Sequence, residues 1–302
     1  MQNIIDKFLY WLYAPRQVRA LYEIGPLLRE LFSLDGLKRA GIILLTLIEI
    51  CGVVILDSSR TPRGPKLDLT GYSVVFEDEF DGTALDLDKW EYRGSGKRSG
   101  GFMHPDQVRL EDGKLILKAE YKEDAAYGPG WYAGMIRTKD EFVRGYFEMT
   151  CIVSYGGGFS SSWWLNSDGM ASAALSQGGV GGAEVDIFEA FNYKKTFGKD
   201  SVSINIHVDG YGPDIQSTQL GSWRGKNIYN QYNTYGLLWS EEEYIFYING
   251  VEAVRSSFKD GVSQAPEYPI ISLELPDASE FSKDLGFTTE FMIESVRIWQ
   301  KD

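Results

Sequence analysis

The sequence is poor in the two residue types that most often bind zinc or build disulfide frameworks. It contains two cysteines, Cys51 and Cys151, and two histidines, His104 and His207, in 302 residues. There is no CxxC pair, and the histidines stand far apart in sequence. A disulfide scaffold and a histidine-rich zinc site are therefore not expected.

Positive charge is also scarce. Lys and Arg number 30 against 43 Asp and Glu, so the net charge is −13, and no basic cluster is present. A nucleic-acid-binding protein needs a basic face to neutralise phosphates. We therefore expect no nucleic-acid partner. The acidity is compatible with an exported protein or a neutral substrate.

Only one long apolar run is present, at residues 42–56, and Thr46 and Glu49 interrupt it. A helix of this length spans about 22 Å, whereas the hydrocarbon core of a bilayer is about 30 Å thick. Apolar residues also recur at roughly helical spacing before it. The run is compatible with an uncleaved signal anchor, a late signal-peptide core, or a buried helix of a small appendage.

The chain divides into two regions of different character. Residues 58–66 contain two prolines and a glycine and are typical of a linker. We predict that residues 1–66 form a short N-terminal helical segment with this linker and a candidate membrane anchor at 42–56. Residues 67–302 form the second predicted domain.

Short β-segments separated by turn signals dominate the second region. The dipeptides Asp112-Gly113 and Asn249-Gly250 each stand between strand-like runs. No long amphipathic helix is indicated. The fold class predicted is all-β, a jelly-roll β-sandwich with a concave cleft.

The segment 182–190 carries three acids among apolar residues that suit a strand. Strand alternation places Glu184 and Asp186 on one face and Glu189 on the other. One extra residue, a β-bulge, would return Glu189 to the shared face. Glu184 and Glu189 would then lie roughly 13 Å apart at Cα, and inward-leaning side chains could bring the carboxyls to about 5 Å.

Two carboxyls at that separation suit a retaining glycosidase. One must be ionised to attack the anomeric carbon, and the other must carry a proton for the leaving oxygen. Mutual repulsion among three acids would keep one of them protonated near neutral pH. The alternative is an ordinary solvated polar face, and the residues alone favour catalysis only modestly.

With its Glu-x-Asp-x-x-Glu pattern, the sequence resembles the laminarinase-like group of the family 16 glycoside hydrolases. The resemblance runs in order from Phe76 to the C-terminus and leaves out residues 1–66. Its further matches lie at 76–81, 85–90, 112–115, 133–139, 144–148, 158–164, 205–207, 235–239, 244–250 and 294–299.

The resemblance implies that Glu184 is the nucleophile, Glu189 the acid/base and Asp186 an assisting residue. It implies a retaining, endo-acting hydrolase of a β-1,3- or mixed-linkage glucan that needs no catalytic cofactor. The alternatives are a transglycosylase with the same acids and a non-catalytic carbohydrate-binding sandwich. We expect a monomer with a polysaccharide substrate, at the cell surface or outside the cell.

The resemblance and strand alternation together indicate the substrate-contacting residues. Ser162 and Trp164 share a face that we assign to the cleft, with Trp163 in the core. His207 matches a family position near the acids, and Glu274 is assigned to the cleft. Trp131 and Trp223 are candidates for stacking on distal sugars. The alternative for each of these residues is a packing or exposed strand position.

The family also implies a structural calcium ion on the convex side, away from the cleft. Its matching ligands are Glu79, the Gly113 carbonyl and Glu294, although the family generally has Asp at the last position. Two further departures affect the cleft. The family usually has a Trp within a few residues before the first Glu, but here those positions are Gly, Val and Ala, and the segment 273–279 replaces the family's Gly-Gly-x-Trp loop. These departures concern the substrate and not the acids.

Overall fold

The computed structural model describes residues 59–156, 158–191, 200–275 and 287–302. The predicted N-terminal helices and the apolar run 42–56 lie outside these residues. Among the residues described, no helix has the length and apolarity to span a bilayer.

The described residues form an all-β sandwich, which confirms the predicted fold class. Eighteen strands make one eleven-stranded and one seven-stranded sheet. They are β1 (Tyr72–Asp78), β2 (Trp90–Tyr92), β3 (Gly96–Arg98), β4 (Gly101–Met103), β5 (Val108–Leu110), β6 (Leu115–Lys122), β7 (Gly130–Ala133), β8 (Met135–Thr138), β9 (Gly145–Ile152), β10 (Ser160–Asn166), β11 (Glu184–Ala190), β12 (Ser201–Val208), β13 (Gln216–Arg224), β14 (Asn233–Trp239), β15 (Tyr244–Ile248), β16 (Val251–Ser256), β17 (Tyr268–Glu274) and β18 (Thr288–Lys301). The α-helix of the described part is α1 (Ala173–Ser176).

The order of the strands places the acidic strand near the centre of the smaller sheet. That sheet runs β13-β12-β11-β10-β17-β8-β2, so β10 and β12 flank β11. The larger sheet runs β16-β15-β14-β9-β18-β6-β7-β4-β3, with β1 beside β18 and β5 beside β6. A central strand is fixed by hydrogen bonds on both edges, which suits it to carry precisely placed side chains.

The core lies between the two sheets and is rich in aromatic residues. Phe188 of β11 is fully buried, with its ring centroid 4.2 Å from that of Tyr235 on β14. It also meets Phe291 of β18 edge-on at 6.1 Å. These contacts join the two sheets, and the burial of such large rings supplies much of the stabilising free energy of the sandwich.

The two predicted tight turns are confirmed. Asp112 and Gly113 have φ of 52° and 68°, and Asn249 and Gly250 have φ of 52° and 70°. Positive φ at both central residues is the requirement of a type I′ turn, which Asn-Gly and Asp-Gly meet at low steric cost. The turns connect β5 to β6 and β15 to β16.

The segment predicted as a linker is paired with the sandwich. Arg60 N–H donates to the Ser222 carbonyl at 2.8 Å, and Gly64 N–H donates to the Glu252 carbonyl at 3.0 Å. Lys66 forms an antiparallel bridge with Val251. The compact unit that contains the sandwich is Ser58–Asp302. The sandwich unit therefore begins several residues before the predicted boundary at Leu67.

Candidate active site

The predicted β-bulge is present in β11. Asp186 lies opposite Asn205 of β12 and Glu189 lies opposite Ser203, so three steps on β11 match two on β12. The register against β10 also shifts, between Trp163 and Trp164. Because of the extra residue, Phe188 points into the core while Glu184, Asp186 and Glu189 all line one cavity.

The cavity has a volume of about 450 Å³ and opens on the outer face of the seven-stranded sheet. Acidic, basic, hydroxyl and aromatic side chains all contribute to its wall. The lining residues are Arg93, Arg98, Ser99, Ser162, Trp164, Glu184, Asp186, Glu189, Phe191, Tyr211, Glu274 and Leu275. A mixed polar and aromatic wall of this kind is typical of a small-molecule or sugar site.

The approach to β11 requires glycine at Gly182. Its φ is +141°, and a Cβ there would lie 2.1 Å from Ser167 Oγ and 3.0 Å from Gly169 Cα. The next residue, Ala183, donates its N–H to the buried carboxyl of Glu267 at 3.0 Å. The backbone entering Glu184 is therefore fixed by close packing on one side and by a buried hydrogen bond on the other.

Glu184 has hydrogen-bond donors from two other elements. Asn166 Nδ2 at the end of β10 donates to Glu184 Oε2 at 3.1 Å. The Tyr211 hydroxyl donates to the same oxygen. The pKa of Glu184 is raised from its ordinary value, mainly by burial, and the Tyr211 hydrogen bond and the charges of His207 and Arg98 oppose this rise. These donors favour the ionised carboxylate.

Asp186 lies at the bottom of the cavity and is 4% exposed. Its Oδ2 is 3.2 Å from His207 Nε2. One ligand atom each of Glu184, Asp186 and His207 lie within 4.8 Å of one another. Burial raises the pKa of Asp186 well above its ordinary value, and the charge of Glu184 adds to this effect. Two carboxyls this close favour a shared proton over two charges.

Glu189 also has a raised pKa and tends to hold a proton. Burial raises its pKa to about 9, with further contributions from the charges of Asp186 and Glu184. Its Oε2 accepts a hydrogen bond from Asn205 Nδ2 at 2.5 Å. At neutral pH the arrangement thus offers a protonated Glu189 beside a Glu184 held by two donors. This division suits one group that gives a proton and another that attacks.

Four of the predicted substrate-contacting residues lie at or beside this cavity. Ser162 and Trp164 line it from β10, whereas Trp163 is fully buried in the core. Glu274 lines it from β17, and Arg98 holds its carboxylate with two hydrogen bonds, of 2.7 and 2.8 Å. His207 contacts Asp186, and its Nδ1 lies 2.6 Å from Ser217 Oγ. Trp164 itself is only 6% exposed, so little of its ring is open to solvent.

The other two tryptophans lie elsewhere. Trp131 is 3% exposed and packs edge-on against Phe159 at 5.2 Å. Trp223 is 7% exposed, with the Arg60 guanidinium 5.5 Å from its ring centroid. Both rings are occupied by packing, which favours the packing alternative; stacking on distal sugars stays a prediction. Alternation along a strand does not show which face a neighbouring element covers.

The sequence did not indicate several residues that the fold brings to the acids. Tyr211 and Arg93 line the cavity. Asn166 donates a hydrogen bond to Glu184, and Asn205 donates one to Glu189. Phe191 and Tyr211 are 46% and 59% exposed, so they are the aromatic faces that the cavity presents to solvent. Among these residues, only Asn205 was indicated by the sequence, because it belongs to the segment 205–207 that matches the family.

The predicted calcium ligands are close in register but poorly suited to a cation. β1 and β6 flank β18, so Glu79 and Gly113 come near Glu294. However, Glu79 pairs with Arg297, and Glu294 is exposed. Calcium takes six to eight oxygen ligands. The described residues do not fit a calcium ion as they stand.

Comparison with known proteins gives consistent matches. A family model described as the GH16 domain of β-porphyranases A–D matches residues 74–278. Glucan endo-1,3-β-glucosidase A1 of Niallia circulans is 27% identical over 218 residues, which are 64% of this chain and 30% of that protein. β-Porphyranase B of Zobellia galactanivorans is 26% identical over 195 residues, 57% of this chain and 64% of that protein. This chain thus covers less than two thirds of either relative.

Solved structures with the same fold extend the comparison. A non-specific endo-β-1,3(4)-glucanase from family GH16 superposes with a TM-score of 0.63 at 20% identity, over 82% of this chain and 98% of that one. The catalytic domain of a laminarinase from Thermotoga petrophila gives a TM-score of 0.61 at 18% identity, over 76% and 98%. The two packed sheets are those of this jelly-roll fold.

Proposed function

Because the chain belongs to glycoside hydrolase family 16, we propose that it is an endo-acting β-glycoside hydrolase of a β-1,3- or mixed-linkage glucan. The observation that carries the proposal is the bulged strand, which directs Glu184, Asp186 and Glu189 into one cavity. The glucan is suggested by the relatives described as a glucan endo-1,3-β-glucosidase and a β-glucanase.

The proposed mechanism is a double displacement with retention at the anomeric carbon. Glu184 attacks that carbon while Glu189 protonates the leaving oxygen, which forms a glycosyl-enzyme ester on Glu184. Glu189, now ionised, takes a proton from the water that hydrolyses the ester. Asp186 lies beside Glu184, and the pKa of its own carboxyl is raised, so it can share a proton with the nucleophile between steps. The mechanism requires carboxyls about 5 to 5.5 Å apart.

The function is tested by measuring reducing-end release from β-1,3-glucan, mixed-linkage glucan, galactans and xyloglucan. Endo-action predicts early release of oligosaccharides and a rapid fall in polymer length. Products longer than the starting oligosaccharide would instead identify a transglycosylase. Binding without any bond cleavage would identify a carbohydrate-binding sandwich and contradict the proposed hydrolase.

One observation favours a second candidate, a polysaccharide that carries anionic groups. The guanidinium of Arg93 lies in the cavity wall, 5.8 Å from the ring centroid of Trp164 and 5.3 Å from that of Tyr268. Among the described residues no carboxylate forms an ion pair with it. A cation held on aromatic faces beside the acids could bind a sulfate or carboxylate substituent.

This candidate predicts a selective effect of Arg93→Met. The variant keeps the aliphatic stem and removes the charge, so kcat/KM should fall about 10-fold on an anionic polysaccharide. It should stay near the wild-type value on a neutral glucan. Lys97→Met, which removes an exposed cation outside the cavity lining, is the matched control. An equal loss on both substrates would mean that Arg93 only supports the cavity wall.

We also propose that the protein is a monomer that acts outside the cytoplasm, held at a membrane through residues 42–56. A polymeric substrate and the apolar run motivate this placement. The full chain should sediment with membranes, while a chain starting at residue 58 should stay soluble and keep its activity on soluble glucan. Starting at residue 58 and not at Leu67 preserves the pairing of residues 60–66 with the sandwich. A soluble full chain would contradict the anchor.

A further inference from the structure

Tyr211 has an unusual position for an exposed tyrosine. It follows β12 in the loop that leads to β13, and it is 59% exposed, yet its hydroxyl reaches into the cavity. The hydroxyl donates to Glu184 Oε2 and accepts a hydrogen bond from Asn166 Nδ2 at 2.5 Å. Asn166 also donates to Glu184 Oε2, at 3.1 Å. Tyr211, Asn166 and the nucleophile thus form a closed triangle of hydrogen bonds.

A rigid turn presents Tyr211 to Glu184. Asp209 adopts a left-handed conformation with φ of 69°, is 7% exposed, and accepts hydrogen bonds from Gly178 N–H at 2.8 Å and Gln216 Nε2 at 2.7 Å. Its own N–H donates to Ser176 Oγ at 2.9 Å. Gly210 has φ of 84° and packs against the backbone of Ser172. Four contacts at the base of the loop therefore fix the direction in which Tyr211 leaves it.

The two donors distinguish the two oxygens of Glu184. Oε2 accepts from both Tyr211 and Asn166, whereas the described residues offer no hydrogen-bond donor to Oε1. An oxygen with two donors is a poorer nucleophile, because its lone pairs are engaged and its negative charge is stabilised. Oε1 is then the oxygen that is free to attack.

We propose that Tyr211 is a positioning residue that holds the nucleophile by Oε2, directs Oε1 to the anomeric carbon, and stabilises the Glu184 carboxylate as the glycosyl-enzyme breaks down. The proposal rests on the proposed glycosidase function. In the first step the Oε1–carbon bond forms, the glycosidic bond breaks, and the leaving oxygen takes the proton of Glu189. In the second step a water oxygen bonds to the anomeric carbon, its proton passes to Glu189, and the ester electron pair returns to Glu184.

The hydroxyl of Tyr211 affects the formation and the hydrolysis of the glycosyl-enzyme differently. Glu184 loses its negative charge when the ester forms and regains it when the ester is hydrolysed. A hydrogen bond to the ionised carboxylate therefore assists the second step more than the first. Without the hydroxyl, hydrolysis of the glycosyl-enzyme should slow and the intermediate should accumulate.

The test is Tyr211→Phe, which removes the hydroxyl and keeps the ring. On an aryl β-glycoside with a good leaving group, kcat should fall about 10- to 100-fold and KM should fall with it, as the intermediate accumulates. Intact-protein mass spectrometry of the reaction at steady state should show more glycosyl-enzyme than in the wild type. A purely structural role would lower kcat or raise KM without this accumulation. Tyr127→Phe, which alters an exposed tyrosine outside the cavity lining, is the matched control.

A second measurement does not need turnover. Titration of the Glu184 carboxyl by carbon-13 NMR should give a higher pKa in Tyr211→Phe than in the wild type, because a donor to the charged form is lost. The other charged and titratable groups around this carboxyl are unchanged in the variant, namely Asp186, Glu189, His207, Arg98 and Glu274.

The outcomes separate this proposal from the proposed function. An active wild type with unchanged kinetics and an unchanged Glu184 titration in Tyr211→Phe would overturn the role of Tyr211 alone. A folded wild type that cleaves no glycoside would overturn the glycosidase function and the role of Tyr211 with it.

Discussion

Glu184→Gln is expected to lower kcat by at least about 10⁴-fold while the protein stays folded and still binds the polysaccharide. The amide preserves the shape of the side chain and can still accept from Asn166 and Tyr211, but it cannot form the ester. Most of the binding energy comes from the rest of the cleft. The measurements are turnover on the preferred glucan and binding of the same polymer by calorimetry.

Two further variants make this expectation specific to the nucleophile. Glu184→Gly with added azide should recover part of the turnover, because the small anion can occupy the vacated space and attack in its place. Glu241→Gln, which changes an exposed acid between β14 and β15, should leave turnover unchanged.

The stereochemistry of the wild-type product provides the check. NMR of the first-formed anomer should show retention, since two carboxyls about 5 to 5.5 Å apart leave no room for the water of an inverting enzyme. An α-anomer from a β-linked substrate would contradict both the roles of Glu184 and Glu189 and their proposed separation.

Glu189→Gln is expected to reduce kcat/KM by about 10² to 10⁴-fold on natural glucans, which have poor leaving groups. The loss should be much smaller on an aryl glycoside whose leaving group departs without a proton. The wild type should lose kcat/KM as pH rises through about 9, because the pKa of Glu189 is raised to about 9 and its acid role needs the protonated form. This alkaline limb should be absent in Glu189→Gln. Equal losses on all leaving groups would exclude Glu189 as the acid.

The same residue links activity to stability. The folded-state pKa of Glu189 is raised above its unfolded value, so the folded state binds the proton more tightly. The contribution of Glu189 to the free energy of unfolding therefore falls as pH rises from about 4.3, the unfolded pKa, to about 9. The Glu189→Gln side chain does not titrate. The free energy of unfolding of the variant minus that of the wild type should therefore be larger at pH 8 than at pH 4. Urea unfolding at the two pH values measures the difference.

Several features could be predicted from sequence because they depend on residues near one another in the chain. The type I′ turns at Asp112-Gly113 and Asn249-Gly250 follow from the backbone freedom of those residues. The bulge in β11 follows from three acids whose spacing does not fit a period of two. Strand alternation puts Trp163 and Trp164 on opposite faces, and the family resemblance assigns Trp164 to the cleft; the fold buries Trp163 and places Trp164 on the cavity wall.

Other features depended on which distant segments meet. Trp131 and Trp223 lie on β7 and β13 and pack against Phe159 and Arg60. Strand periodicity carries no information about such partners. Glu79 was matched to a cation ligand, yet it lies beside Arg297, which neutralises it. Residues 60–66 have the composition of a linker, but the edges of β13 and β16 offer backbone partners for them.

The sandwich, the bulge and the three acids could all be inferred from the order of residues, because strand period, turn chemistry and the spacing within β11 are local properties of the chain. The difference between those acids arises only in the folded protein. Burial raises the pKa of Glu189, while Tyr211 and Asn166, from a loop and a strand distant in sequence, hold Glu184 by one oxygen. Desolvation and hydrogen bonding act through space, so the roles of chemically identical carboxyls are set by the residues that the fold places around them.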